Sequence, residues 1–177
     1  MKKNVPSSIK RFLLTLVFLS LGATLLAGCG DGAFKDDNKL HVTSTIGMIN
    51  DVVREIGGDR VEAIGLMGPG VDPHLYKASQ GDIAKLEDAD IILYSGLHLE
   101  GKMTEILEKM GKDKPVVAVT KNIPEDSLIE VADGTHDPHV WFDVSLWMSA
   151  SETIRDTLVE NDPEHEAEYR ERAASDP

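Results

Sequence analysis

Two tripeptides carry the clearest chemistry in this 177-residue chain, Asp72-Pro73-His74 and Asp137-Pro138-His139, each followed by an aliphatic and then an aromatic residue (Leu75-Tyr76, Val140-Trp141). An imidazole nitrogen offers a lone pair to a transition-metal ion, and the proline before it restricts the backbone, so less freedom is lost when the ring is fixed. The aspartate has two uses: it can accept from loop amides, or act as the outer acceptor that orients a metal-bound ring. The sequence leaves both open. A blander reading makes each histidine a turn residue packed on Tyr76 or Trp141, but recurrence of the full pattern favours a metal site shared by His74 and His139.

The other histidines carry less. His136 and His139 together could chelate an ion within one loop, but only His139 has a counterpart in the other motif. His98, inside Gly96-Leu97-His98-Leu99-Glu100-Gly101, reads as a helix-entry or surface residue, and His41 and His165 read as solvated. Gly68-Pro69-Gly70 permits an unusual loop path ahead of the first motif. Trp147 and the methionines fit helical core stripes.

Short apolar runs alternating with amphipathic stretches must position these loops. Leu40 to Thr45 is β-like, and Ile46, Ile49, Val53 and Ile56 follow at helical spacing up to a Gly57-Gly58 stop. Val61 to Leu66 is a second strand. Ser79 and Asp82 form a capping box ahead of Ile83 and Leu86, and Ile91 to Tyr94 is a continuously apolar third strand. Met103, Ile106, Leu107 and Met110 make a stripe closed by Gly111, and Val116 to Val119 is the fourth strand. Asp143 caps a helix burying Leu146, Trp147, Ala150, Ile154 and Leu158, with Asn161 suited to a left-handed terminus.

Four strand–helix alternations predict an α/β fold, a four-stranded parallel sheet with helices on both faces. The two histidine motifs then follow the second and fourth strands, at the carboxyl edge where open α/β sheets bind ligands. Asp162-Pro163 opens one more helix, polar nearly all round to Arg172, with Glu166–Arg170 and Glu168–Arg172 at i,i+4. A helix of that kind bridges domains or stays marginal.

The amino terminus has a different logic. Lys2, Lys3, Lys10 and Arg11 precede an apolar stretch from Phe12 to Leu26, which at about 15 residues falls short of the roughly 20 that a spanning helix needs. Leu26-Ala27-Gly28-Cys29 resembles the bacterial lipobox, which implies a signal peptide over 1–28 and a diacylglyceryl thioether on Cys29, the chain's single cysteine. Residues 29–38 then form a lipid-anchored tether, and the folded part sits outside the cytosol. The formal net charge of −13 includes the four cations of residues 1–28 and becomes more negative without them. Such a surface repels nucleic acid and attracts cations, although solubility accounts for acidity equally well.

Several separated motifs agree in order with one known family. Thr43-Ser44-Thr45, the run from Met67 to Tyr76, the run from Tyr94 to Met103, and Asp137-Pro138-His139-Val140-Trp141-Phe142-Asp143 together resemble the manganese/zinc-binding lipoproteins of ABC importers, from about Leu40 to Asp162. The resemblance implies two α/β lobes joined by a long helix, with one divalent ion held between them by four protein ligands. His74 and His139 match the two from the first lobe. By the same resemblance, residues 39–160 are the amino-terminal metal-binding lobe and 161–177 the start of the linking helix. The second lobe, source of the other ligands, lies beyond this chain.

The expected function is capture of a divalent ion, Mn²⁺ or Zn²⁺ as transported ligand, and delivery to an ABC importer permease, by a monomer held on the outer face of the cytoplasmic membrane. No enzyme activity is expected. Two imidazoles alone do not separate zinc from manganese, and the lean to manganese comes from the resemblance. A metal-dependent hydrolase would need a general base beside the ion, and no His-Glu-x-x-His helix is present. An adhesion module using the same anchor would be indifferent to chelators.

Overall fold

In the computed structural model, which describes residues 33, 34, 36, 38–132 and 134–175, four parallel strands form one sheet. The signal-peptide reading of 1–28 and the lipidation of Cys29 lie outside the described residues. Strands β1 (Leu40–Ser44), β2 (Val61–Gly65), β3 (Ile91–Tyr94) and β4 (Val116–Ala118) stand in the order β2-β1-β3-β4. Ile91, Ile92 and Leu93 have no exposed surface, which is why β3 reads as a continuous apolar run rather than an alternating one. Register places Ser44 beside Gly65 and Leu93, so β1, β2 and β3 end close together at the carboxyl edge.

The helices cover the sheet as the periodicity predicts. Helix α1 (Gly47–Gly57) buries Ile49, Val53 and Ile56, and it ends where Gly58 takes a positive φ of 50° and its amide donates to the Arg54 carbonyl. Helix α2 (Gln80–Asp88) starts in a reciprocal capping box, the Ser79 hydroxyl accepting from the Asp82 amide while the Asp82 carboxylate accepts from the Ser79 amide. At its other end the Lys114 ammonium donates to the carbonyls of Leu86, Glu87 and Ala89, satisfying groups that the helix leaves without partners. Helix α3 (Thr104–Met110) follows β3. Helix α4 (Val144–Asn161) is capped by Asp143, whose carboxylate accepts from the amides of Ser145 and Leu146.

Several sequence expectations change. Asn161 is not left-handed: it stays helical, and its side-chain amide donates to the Thr157 carbonyl. Leu146 and Trp147 are only half-buried, and the buried face of α4 is Ala150, Thr153, Ile154, Thr157 and Leu158. The threonines are accommodated there because their hydroxyls bond carbonyls one turn back. Met48 and Met148 are exposed, so not every methionine lies in a core stripe.

The last helix, α5 (Glu166–Ser175), is not polar all round. Tyr169 is fully buried against α1 and α4, and its hydroxyl donates to Asp162. Glu166 pairs with Arg170 as expected, but Glu168 turns to Arg60 in a two-pronged bond of 2.9 and 3.0 Å, and Arg172 donates to the Glu55 carbonyl. Nor are His41 and His165 free in solvent. His41 stacks on Phe34 and bonds the Asp36 carbonyl, while His165 rests on Asp162. A two-strand antiparallel hairpin, β5 (Glu130–Ala132) and β6 (Thr135–His136), was not legible in the sequence; it is short and its outer residues are exposed.

Candidate metal centre

The first motif sits in the loop between β2 and α2, and its ends are held differently from its middle. Gly70 takes φ of 81°, the turn that the Gly-Pro-Gly run permits. Downstream, the Tyr76 hydroxyl donates to Asp82 at 2.7 Å and so ties the loop to the first turn of α2. Burial and then this bond push the Tyr76 hydroxyl up to about 12. Burial would raise the Asp82 carboxyl too, but bonds from Ser79, Tyr76 and Lys85 outweigh it and hold the group at about 2. Tyr76 is therefore a strut and does not stack on His74.

The second motif arrives from β6. Val140, nearly fully buried, anchors the single 3-10 turn Val140–Phe142 and leaves His139 on the rim just before it. The Trp141 ring meets His139 edge-on, with centroids 5.2 Å apart. Two loops separated by 65 residues thereby bring His74 and His139 together, Nε2 to Nε2 at 3.3 Å. With metal–nitrogen bonds of about 2.0–2.1 Å, as for zinc, that separation subtends about 104–111° at a shared ion, which brackets the tetrahedral angle. Both rings are accessible to solvent, His74 the more so. Among the described residues no group of three or more His, Cys, Asp or Glu is arranged to hold an ion, so the two rings stand without a third such donor beside them.

The aspartates of the two motifs divide the uses that the sequence left open. Asp72 accepts from the His74 amide at 2.9 Å. Asp137 accepts from the His139 amide at 3.0 Å, and the same oxygen lies 2.6 Å from His139 Nδ1. The amide bond, then the ring bond, hold the Asp137 carboxyl below the usual carboxylate range.

His98 and His136 do not join the pair. They line another cleft, of about 580 Å³, between β3, α3 and the hairpin, which neither His74 nor His139 lines. Leu97 and His98 have positive φ values of 51° and 64°, next to Gly96 at 92°, an unusual run for residues with side chains.

One residue that sequence reasoning gave no role is Glu100. It is 3% exposed, and it accepts from the Thr45 hydroxyl at 2.6 Å, the Ser95 amide at 2.7 Å and the Gly96 amide at 3.3 Å. Burial raises its carboxyl above the ordinary value, against the pull of those three donors. It fastens the end of β1 to the end of β3, under the edge on which the histidine loops stand. The signal that could have found it is an acidic residue four positions after a glycine that closes a buried strand, where free amides need an acceptor.

Residues 42–175 match the family model described as zinc-uptake complex component A, periplasmic. The manganese-binding lipoprotein MntA of Bacillus subtilis is 50% identical over 151 residues, an alignment covering 84% of this chain and 49% of that protein. The zinc-binding protein TroA of Treponema pallidum is 44% identical over 151 residues, covering 85% of this chain and 48% of its own length. The solved structure of the periplasmic zinc-binding protein TroA from Treponema pallidum superposes with a TM-score of 0.76, over 77% of this chain and 50% of that one. The chain spans about half the length of the curated relatives it matches.

Proposed function

Because this chain belongs to the zinc-uptake complex component A family, we propose that it is the first lobe of an extracytoplasmic solute-binding protein that captures Mn²⁺ or Zn²⁺ and hands it to an ABC importer permease. The observation that carries this reading is the outward-facing His74–His139 pair, with its nitrogens at the edge length of a coordination tetrahedron. In this function His74 and His139 are metal ligands, and the remaining corners are filled from a second lobe. Residues 39–160 form the lobe, and α5 opens the helix that links it onward. Residues 1–28 are a signal peptide, and Cys29, acylated, holds the protein on the membrane through the tether 29–38.

No bond in the ion's cargo state is made or broken except coordination. The loops hold both rings near their bound positions before the ion arrives, which lowers the ordering cost of capture. The acidic surface raises the local cation concentration and favours encounter. Imidazole coordinates only when deprotonated at the binding nitrogen, so affinity falls on acidification and release is easier in acid.

The test is a native mass-spectrometry titration of residues 30–177 with Mn²⁺ and Zn²⁺, beside the His74→Ala, His139→Ala double variant. Weak 1:1 binding that disappears in the double variant is the expected result. Tight binding that survives both substitutions would mean the ligands lie elsewhere.

A further inference from the structure

The two histidines occupy matching positions in matching motifs, yet only one has its ring held by a carboxylate. Asp137 Oδ1 reaches both the amide and the Nδ1 of His139, whereas Asp72 Oδ1 reaches only the His74 amide. Among the described residues no acceptor stands at Nδ1 of His74. From this asymmetry we infer that Asp137 is a positioning residue which fixes His139 as a preset nitrogen ligand, while His74 is the adjustable one. The inference rests on both histidines being metal ligands.

The tautomers follow from donor and acceptor chemistry. A carboxylate oxygen only accepts, so the Nδ1 facing Asp137 carries the proton and His139 Nε2 presents its lone pair. That lone pair faces His74 Nε2 at 3.3 Å, where two lone pairs would repel. A hydrogen bond between the two rings in the metal-free protein therefore has His74 Nε2 as its donor and His139 Nε2 as its acceptor. Capture then asks different things of the two rings. His139 binds as it stands. His74 gives its Nε2 proton to water and takes one from water at Nδ1, remaining neutral, and its Nε2 lone pair turns to the metal.

The simpler alternative is that Asp137 only caps its loop. The molecule contains the control for that, since Asp72 performs the capping role alone. Asp72→Ala removes an amide acceptor, and Asp137→Ala removes an amide acceptor and a ring acceptor; the difference between them isolates the ring contact. Asp137→Asn keeps a carbonyl oxygen for both donors and serves as the conservative rescue.

The experiment is nitrogen NMR of the imidazoles in ¹⁵N-labelled, metal-free residues 30–177 at pH 8, followed by Zn²⁺ titration against a competing chelator, with circular dichroism confirming that each variant is folded. The wild type is expected to show His139 in a single Nδ1–H form and His74 in the Nε2–H form. Asp137→Ala is expected to mix the His139 tautomers and to weaken zinc binding by about ten- to a hundredfold, against less than about threefold for Asp72→Ala. Asp137→Asn should restore the single tautomer and most of the affinity. Mixed His139 tautomers in the wild type, or equal losses in Asp72→Ala and Asp137→Ala, would overturn the inference. A wild type that binds no zinc would defeat the functional reading instead, and the metal-free spectra would still decide the role of Asp137.

Discussion

Glu100 and the His74–His139 pair are both polar groups at the carboxyl side of the same sheet, and they are used in opposite ways. Glu100 is buried, and three donors from Thr45, Ser95 and Gly96 meet it. The histidines are accessible, and their two Nε2 atoms face each other. A buried acceptor whose donors are all protein groups is committed to holding the fold together. An exposed pair of nitrogens contributes little to folding and keeps its binding capacity. The contrast separates residues that hold the edge together from residues that work on it.

The largest expected effect tests the first half of that contrast. Glu100→Ala leaves buried amides and a hydroxyl without an acceptor and should lower unfolding stability by about 2–4 kcal/mol, read from urea denaturation. A loss no larger than that of an exposed substitution would erase the distinction. Next comes the reverse experiment. Zinc at about a hundred times its dissociation constant should stabilise the wild type by about 2.7 kcal/mol and leave the His74→Ala, His139→Ala variant unmoved, while both melt alike without metal. A double variant already destabilised when metal-free would show that the pair also supports the fold.

Smaller effects sharpen the boundary. Ser79→Ala breaks the capping box that steadies the first motif and should cost about 1 kcal/mol. Its partner Asp82 has a folded value of about 2 against an ordinary 3.8, so its contribution is complete above 3.8 and is lost as pH falls towards 2. Glu100 runs the other way. Its raised value means that its burial penalty grows as pH rises past 4.5 and is relieved on mild acidification. An acid titration of the metal-free protein should therefore show its steepest losses well below pH 4. The smallest change is expected from Arg60→Ala, which removes an exposed bond to Glu168 and should stay within the scatter of a melting curve, the more so in high salt.

The sheet, its four strands and the caps at Ser79 and Asp143 were legible because local signals and burial agree there. The pairing of His74 with His139 was legible because one pattern occurs twice, and repetition survives ignorance of the fold. What stayed hidden depends on contacts between distant segments. Glu100 meets Thr45 from 55 residues away, a partner that the local glycine–acid spacing does not reveal. Tyr169 made α5 look polar because one aromatic carries its entire buried face. Glu168 prefers Arg60 to its helical neighbour because tertiary packing brings the guanidinium within reach. The unequal use of Asp72 and Asp137 could not be read from the shared Asp-Pro-His-aliphatic-aromatic pattern.

Strand β1 is the first of the described strands along the chain and an inner strand of the sheet. In a chain that emerges amino terminus first, β1 and β2 can pair as soon as Gly65 is out, but the other edge of β1 stays bare until Ile91–Tyr94 arrive. During that interval the nascent chain carries an unpaired edge beside Val42, the kind of surface that templates aggregation. The order of strands thus sets a timetable. Delay between residues 65 and 91 lengthens the exposure.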